Sequence, residues 1–155
     1  MFIPRISWVI EMIEEYNKKY LIMAPSNANM RIVKKVWGAE HWIVNKEYCG
    51  KKLVLNKQHR CSLHGHKKKD ETFYIIKGAV LMELSDDKGK IFKVWAMHPG
   101  DIQHITPNLY HRFTGIEDSE IIEFSTTHDE ADSYRLIDAN RVSDAEFKTI
   151  LESHR

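Results

Sequence analysis

Two histidines and a glutamate near the middle of the chain have the residue types and the spacing of metal ligands. His64 and His66 are two positions apart, so both side chains would point to the same face of a β-strand. After a short polar loop, Glu71 begins an apolar run. Two neutral imidazoles and a carboxylate that converge on one point can bind a divalent transition metal.

The turns around these residues strengthen this interpretation, because a histidine pair by itself is weak evidence and most surface histidines bind nothing. Gly78 supplies a turn after the strand that Glu71 begins, and a second turn at residues 98–101 precedes another histidine, His111. His111 is therefore the fourth candidate ligand.

Short apolar segments separated by turn residues must position these side chains. The predicted strands are 32–33, 41–44, 51–55, 60–66, 71–76, 79–84, 90–96, 102–105, 110–113 and 120–125. About ten short strands with almost no helix between them indicate an all-β sandwich or barrel.

Helical patterns are confined to the two ends of the chain. Apolar residues recur at spacings of three and four within residues 1–22, and the composition of residues 24–29 is that of a linker. Residues 1–29 are thus predicted to be a helix and linker, and residues 30–155 a single domain. A short helix is predicted at Asp144–Ser153, with Ser143 as N-cap and Glu146 as its capping-box partner. The first helix could pack on the barrel or on a second subunit.

The composition limits the classes of partner. Charged residues make up 29% of the 155 residues and the net charge is +1, which gives no electrostatic case for nucleic acid or acidic membranes as partners. At least two of the three lysines at 67–69 are expected in a solvated turn. The two cysteines form no disulfide framework and no apolar run approaches the roughly 20 residues of a membrane span, so we expect a cytoplasmic protein.

The motif His64-x-His66-x4-Glu71-x6-Gly78 resembles the first motif of the cupins. Pro99-Gly100-Asp101, followed by His111, resembles the second, although the spacing between Gly100 and His111 is longer than the minimal pattern. The resemblance implies a cupin double-stranded β-helix, or jelly-roll, barrel in which the three histidines and the glutamate hold a metal. It also implies pairing through an edge strand, and hence a homodimer.

Further segments resemble a narrower group. Residues 35–42 (KVWGAEHW) and the tail at 132–141 are similar to type II phosphomannose isomerases, the cupin domain that follows mannose-1-phosphate guanylyltransferase in bifunctional enzymes. That family usually has glutamine at the position of His64, and a histidine there is closer to cupin D-lyxose isomerases. The resemblance implies an isomerase of mannose 6-phosphate, mannose or lyxose.

The expected cofactor is a divalent Mn, Zn, Co, Ni or Fe ion. Three imidazoles and a carboxylate would leave about two open positions on a six-coordinate metal. Those positions suit the carbonyl oxygen and neighbouring hydroxyl of an open-chain sugar, whose isomerisation passes through an ene-diolate. The alternatives are another metal-cupin enzyme, such as an Fe-dependent dioxygenase, and a non-catalytic carbohydrate-binding cupin.

Proton transfer needs an acid–base group, for which the sequence offers Lys69, Glu83 and Glu123. Strand alternation predicts that Arg60 shares the face of His64 and could act in catalysis or clamp a phosphate or a row of hydroxyls. Whether Glu123 faces inward is left open.

The same alternation sorts the remaining candidate substrate-binding residues. Arg112 should point away from the face of His111, towards either a surface ion pair or the substrate. Phe73 shares the face of Glu71 and is expected to form a wall near the metal. Tyr134 and its neighbour Arg135 could cover the barrel mouth or only dock the tail.

Overall fold

The computed structural model describes residues 7–20, 25–26 and 30–153, and most of them are β-strand. The elements, in chain order, are α1 (Ser7–Tyr20), β1 (Arg31–Lys35), β2 (Gly38–Asn45), β3 (Tyr48–Leu55), β4 (His59–Arg60), β5 (Leu63–Gly65), β6 (Glu71–Lys77), β7 (Val80–Ser85), β8 (Ile91–Met97), β9 (Ile102–Ile105), β10 (Tyr110–Gly115), β11 (Ser119–Thr126), a 3-10 turn (Glu130–Asp132), β12 (Tyr134–Ile137), β13 (Asn140–Arg141) and α2 (Asp144–Ser153). The predicted all-β architecture, with one helix at each end, is confirmed.

The strands form two antiparallel sheets. The first has the order β1-β2-β3-β11-β6-β9, and the second has the order β12-β5-β10-β4-β13, with β7 paired to β10 and β8 paired to β7. Apolar residues of both sheets, such as Leu53, Ile121 and Phe113, belong to one buried cluster. The core therefore lies between the sheets, in the interior of the barrel.

Residue alternation decides which side chains reach this interior. In β3, Lys51, Leu53 and Leu55 are buried, whereas the intervening residues are partly exposed. In β11, Ile121 and Glu123 are buried and Phe124 is exposed. Each of these strands thus sends every second residue inward, as the period of a β-strand requires.

The turn between β6 and β7 depends on Gly78. Its φ of 77° lies in the left-handed region, and an added Cβ would lie 2.4 Å from the Ser119 side-chain oxygen. Only glycine fits this position without strain, which explains why a glycine follows the strand that Glu71 begins.

The predicted strand 60–66 is two strands with a break between them. Thr114 of β10 pairs with Arg60, and His111 pairs with His64. Three residue steps along β10 therefore face the four steps from Arg60 to His64. The segment between β4 and β5 thus contains one extra residue. Such a bulge turns the preceding side chains to the opposite face. Strands β12 and β13 in the tail were not predicted.

Helix α2 has the predicted bounds. The Ser143 hydroxyl accepts a hydrogen bond from the Glu146 backbone at 3.2 Å, which confirms the N-cap. The capping box is incomplete, because the Glu146 carboxylate instead accepts from Arg60 at 2.7 Å. Phe147 and Ile150 are buried in a second cluster under α2.

Helix α1 covers the described part of the predicted first helix, and residues 1–6, 21 and 22 of that prediction lie outside the described residues. Its apolar residues Ile10, Ile13 and Tyr16 are each about half exposed. The division at residue 29 stays a prediction. Neither α1 nor α2 combines the length and hydrophobicity that a bilayer-spanning helix requires.

Candidate metal centre

Four predicted ligands lie together in the barrel interior; we call His64, His66, Glu71 and His111 the histidine cluster. His64 lies on β5, His111 pairs with it on the adjacent β10, and Glu71 begins β6 in the opposite sheet. The ring centroids of His64 and His111 are 4.6 Å apart, and those of His64 and His66 are 5.2 Å apart. Glu71, His66 and His111 are buried, and His64 is half-buried.

The ligand atoms of the histidine cluster converge on the Glu71 carboxylate. Glu71 Oε1 is 3.1 Å from His111 Nε2 and 3.7 Å from His66 Nε2. One ligand atom from each of His64, His66 and Glu71 lies within 4.8 Å of the other two. The structure therefore brings together the side chains that the motif spacing selected.

Backbone carbonyls orient all three imidazoles in the same way. The Nδ1 atoms lie within hydrogen-bond distance of Ser62 O (2.8 Å, from His64), Asp132 O (2.8 Å, from His66) and Leu109 O (3.4 Å, from His111). A carbonyl oxygen can only accept, so each Nδ1 carries the hydrogen and each Nε2 presents a lone pair. Such outer hydrogen bonds are the usual means of fixing a histidine for metal binding.

Three of the converging atoms have no hydrogen-bond partner among the residues that the structure describes. His66 Nε2, Glu71 Oε1 and His111 Nε2 are buried and unsatisfied. With the tautomers that the carbonyls impose, all three are acceptors, and a group of buried acceptors without a donor is costly. A divalent cation would satisfy them together, and imidazole nitrogen with carboxylate oxygen suits Mn, Fe, Co, Ni or Zn. These residues therefore fit a metal ion.

The protonation states also suit a metal. Burial, reinforced by the neighbouring His111, lowers the pKa of His64 to about 3, and burial lowers the pKa of His66. Burial alone would raise the pKa of Glu71, but the adjacent Lys69 ammonium favours the carboxylate, and that pKa lies well below the usual value. At neutral pH these donors are already deprotonated, as metal binding requires.

A buried ion pair adjoins the histidine cluster. Lys69 Nζ is 2.5 Å from Glu71 Oε2 and 2.5 Å from Glu123 Oε1, and the Ser125 hydroxyl donates to Glu123 Oε1 at 2.9 Å. Burial would lower the pKa of Lys69, but Glu123 and Glu71 outweigh it and raise that pKa. Lys69 is thus an ammonium ion that links Glu71 to Glu123. Lys67 and Lys68 are exposed, as the solvated turn predicted.

Three members of the histidine cluster and this ion pair border a cavity of about 390 Å³. His64, His66, Glu71, Lys69 and Glu123 all line it. Its size is within the range of small-molecule sites, and a pentose or hexose would fit inside it.

Comparison with known proteins identifies the fold. Residues 52–125, from β3 to β11, match the family model of the cupin domain. This segment of the barrel is therefore similar to the cupin domain. The matched segment contains the whole histidine cluster, together with Lys69 and Glu123.

Solved structures with the same fold include two variants of oxalate decarboxylase from Bacillus subtilis. Their TM-scores are 0.62 and 0.61 at 20% and 18% identity, with 72% and 88% of this chain and 32% and 40% of their own chains covered. CapF, solved with the inhibitor 3-isopropenyl-tropolone, has a TM-score of 0.65 at 15% identity and covers 87% of this chain and 42% of its own. This chain thus spans less than half the length of each neighbour. No curated protein sequence matches it.

Three other predicted site residues, Arg60, Glu83 and Arg112, lie on the far side of the barrel strands. Together with Glu146 of α2 they form what we call the arginine cluster. Arg112 binds both Glu83 carboxylate oxygens, at 2.6 and 2.9 Å. Arg60 donates to Glu146 at 2.7 Å and to the Thr114 hydroxyl at 3.0 Å. None of the four lines the cavity.

The prediction that Arg60 shares the face of His64 is wrong. The extra residue between β4 and β5 reverses the face, and the Arg60 side chain turns towards α2. Arg112 points away from the face of His111, as strand alternation predicted. Both arginines therefore donate to acceptors on this side of the barrel, and both Glu83 carboxylate oxygens accept from Arg112.

The remaining predictions concern the cavity wall and mouth. Phe73 lines the cavity with its ring centroid 5.6 Å from that of His111, so its placement as a wall is confirmed. Arg135 lines the cavity, and its guanidinium is 2.5 Å from the Glu130 carboxylate. Tyr134 does not line the cavity, and Lys67 lies over its ring at 4.4 Å. The tail therefore covers the mouth through Arg135, whereas Tyr134 faces outward.

Lys51, Glu40 and His128 also line the cavity, and sequence reasoning missed them. Lys51 is 1% exposed, with its Nζ 3.2 Å from His128 Nδ1 and 3.7 Å from Glu40 Oε2. The sequence did contain an indication of this, because Lys51 is two residues from Leu53 and four from Leu55 and therefore lies on the same face of β3. A lysine in that pattern is normally assigned to the solvent-facing side.

Proposed function

We propose that this cupin is a metal-dependent aldose–ketose isomerase that acts on an open-chain sugar. The observation that carries the proposal is the buried Lys69–Glu123 ion pair, which touches a carboxylate of the metal-binding group and borders a sugar-sized cavity. Isomerisation of this kind moves protons between neighbouring atoms, and an adjacent acid and base are the groups it requires.

Glu71, His64, His66 and His111 would hold the metal. A bound divalent ion would supply Lewis-acid polarisation of the substrate carbonyl. Phe73 and Phe113 form apolar parts of the wall and limit water near the reacting carbons.

The protein groups account for the proton movements. The Glu123 carboxylate accepts the proton from the carbon next to the carbonyl and returns it to the former carbonyl carbon. The Lys69 ammonium gives a proton to the carbonyl oxygen and recovers one from the neighbouring hydroxyl. The 2.5 Å contact between the two side chains keeps both groups at the same side of the cavity, so that the net change is a shift of two hydrogens within one molecule.

The test is incorporation of solvent deuterium into D-mannose, D-lyxose and mannose 6-phosphate, followed by NMR without oxygen and with Mn²⁺, Co²⁺, Zn²⁺, Ni²⁺ or Fe²⁺ added. We expect exchange and ketose formation with at least one sugar, and a decrease of about 10²–10⁴-fold in Glu123→Gln. Glu120→Gln is the matched control, because Glu120 is on the same strand but pairs with Lys52 outside the cavity.

Two outcomes would contradict the proposal. Oxygen consumption with Fe²⁺, without exchange in any sugar, would indicate the dioxygenase alternative. Stabilisation of the protein by a sugar, without exchange or turnover under any metal, would indicate a carbohydrate-binding cupin.

A further inference from the structure

Within residues 30–153, every cation that lines the cavity lies near a carboxylate. Lys35 is 3.2 Å from Glu40, and Arg135 is 2.5 Å from Glu130. Lys69 bridges two carboxylates, as described above. The cavity therefore contains pairs of opposite charge rather than a cluster of free cations.

Lys51 is the least tightly paired of these cations, but it too lies between carboxylates. Its Nζ is 3.7 Å from Glu40 Oε2 and 3.9 Å from Glu123 Oε1. Asp138 adds a further carboxylate to the lining. A phosphate next to any of these cations would also lie next to a carboxylate, and such like-charge contacts are strongly unfavourable.

The backbone offers no alternative anion site at the adjacent loop. Three successive backbone N–H groups, those of Lys67, Lys68 and Lys69, point to one place, which is the arrangement that commonly binds phosphate. The chain's own Asp132 carboxylate occupies that place, with N···O distances of 3.1, 3.0 and 3.0 Å. This anion site is therefore already filled.

Paired charges are well suited to a polyol. Each hydroxyl group can donate one hydrogen bond and accept others. A row of ammonium and carboxylate groups can therefore bind successive hydroxyls without a change in net charge.

From these observations we infer that the cavity selects an uncharged sugar and rejects its phosphate ester. The identification of the ligand as a sugar rests on the proposed function. The selection against phosphate rests on the ion pairs and on the filled backbone site.

The experiment measures equilibrium binding, which does not depend on turnover. Protein loaded with metal is titrated calorimetrically with D-mannose, D-lyxose and mannose 6-phosphate. We expect a free sugar to bind on the order of a hundredfold more tightly than the phosphate ester. Equal affinity, or tighter binding of mannose 6-phosphate, would overturn the inference.

The Glu40→Gln variant tests the cause. It removes the carboxylate that faces Lys35 and Lys51, while the amide oxygen can still accept from Trp42. We expect its preference for the free sugar to fall roughly tenfold. Glu120→Gln removes the same charge outside the cavity and should leave the preference unchanged. If Glu40→Gln does not fold, Glu130→Gln, which frees Arg135 at the mouth, should shift the preference in the same direction.

An unchanged preference in both cavity variants would overturn the electrostatic cause. The two proposals fail separately. Selective binding of free sugar without isomerisation would refute the proposed function and leave this inference standing, whereas isomerisation of mannose 6-phosphate alone would do the opposite. If neither kind of sugar binds, both are refuted.

Discussion

Two clusters of polar side chains lie on opposite faces of β10, and they differ in how their hydrogen bonds are used. His111 belongs to the histidine cluster, and the next residue, Arg112, belongs to the arginine cluster. In the arginine cluster, Arg112 and Glu83 make a bidentate pair and Arg60 bonds to Thr114 and Glu146. In the histidine cluster, three buried acceptors face one another, and none of them has a donor within the described part of the chain.

The difference distinguishes a structural cluster from a ligand-binding one. A buried network whose members satisfy one another helps to define a single packing arrangement, here the attachment of α2 to the barrel. A group of convergent acceptors opposes folding unless a cation joins it. Burial of polar groups by itself therefore does not separate the two clusters, whereas the presence of unsatisfied buried acceptors does.

The largest expected effect comes from breaking the arginine cluster. Arg112→Met would leave the Glu83 carboxylate, which is 7% exposed, without its bidentate partner. We expect the free energy of unfolding to fall by about 3–5 kcal/mol, as for other broken buried pairs. Urea unfolding followed by circular dichroism measures this loss. Metal affinity should not change in the folded variant; a loss of metal affinity would mean that the two clusters are not independent.

The converse variant is Glu71→Gln in the histidine cluster. Metal affinity should fall by at least about 100-fold. Loss of a residue that only hydrogen-bonds to a ligand can cost that much, and Glu71 is itself a proposed ligand. Unfolding of the metal-free protein should change by less than about 1 kcal/mol, because Lys69 keeps Glu123 as a partner. Calorimetric metal titration and urea unfolding measure the two quantities. A large loss of stability with unchanged metal affinity would show that Glu71 stabilises the fold and does not bind metal.

A smaller effect is expected at Asp132, which supports the histidine cluster from outside. Its carboxylate accepts from the backbone at 67–69, and its carbonyl orients His66. Asp132→Asn should lower metal affinity by roughly 10-fold and the free energy of unfolding by about 1–2 kcal/mol. The matched control is Asp86→Asn, since Asp86 accepts from two backbone N–H groups in a turn on another part of the barrel. A loss of metal affinity in both variants would show a general rather than a local effect.

The smallest effect is expected at the cavity mouth. Arg135 and Glu130 form an ion pair whose side chains are 46% and 63% exposed. Arg135→Gln should change the free energy of unfolding by less than about 1 kcal/mol, because water screens exposed pairs. Thermal melting at low and high salt measures this. A loss of stability as large as that of Arg112→Met would mean that solvent exposure does not explain the different contributions of the two ion pairs.

The sequence predicted best what is local in the chain. His64, His66 and Glu71 lie within one short segment, and the period of a β-strand suffices to place them together. Helix α2 was predicted for a similar reason, from spacing and the cap at Ser143. His111 is distant in the chain and was selected from the turn at 98–101 that precedes it, and only strand pairing places it beside His64.

What the sequence could not predict depends on non-local contacts. One extra residue between β4 and β5 reverses the face of Arg60, and nothing in the local pattern marks that bulge. The direction of Glu123 was left open because it is set by its partners across the sheet, Lys51 and Phe73. The Glu146 carboxylate accepts from Arg60 and does not complete the capping box. Arg60 reaches it only in the folded barrel, so the local sequence could not predict this contact.

The metal content of the purified protein tests the central claim most directly. Elemental analysis after dialysis against Mn²⁺, Co²⁺ or Zn²⁺ should find one ion per chain in the natural protein and in Arg112→Met, with a higher melting temperature than the metal-free form. The same measurement on His66→Ala should find little or no ion. Protein that binds no ion, or that binds it equally well without His66, would contradict the assignment of the histidine cluster as a metal centre.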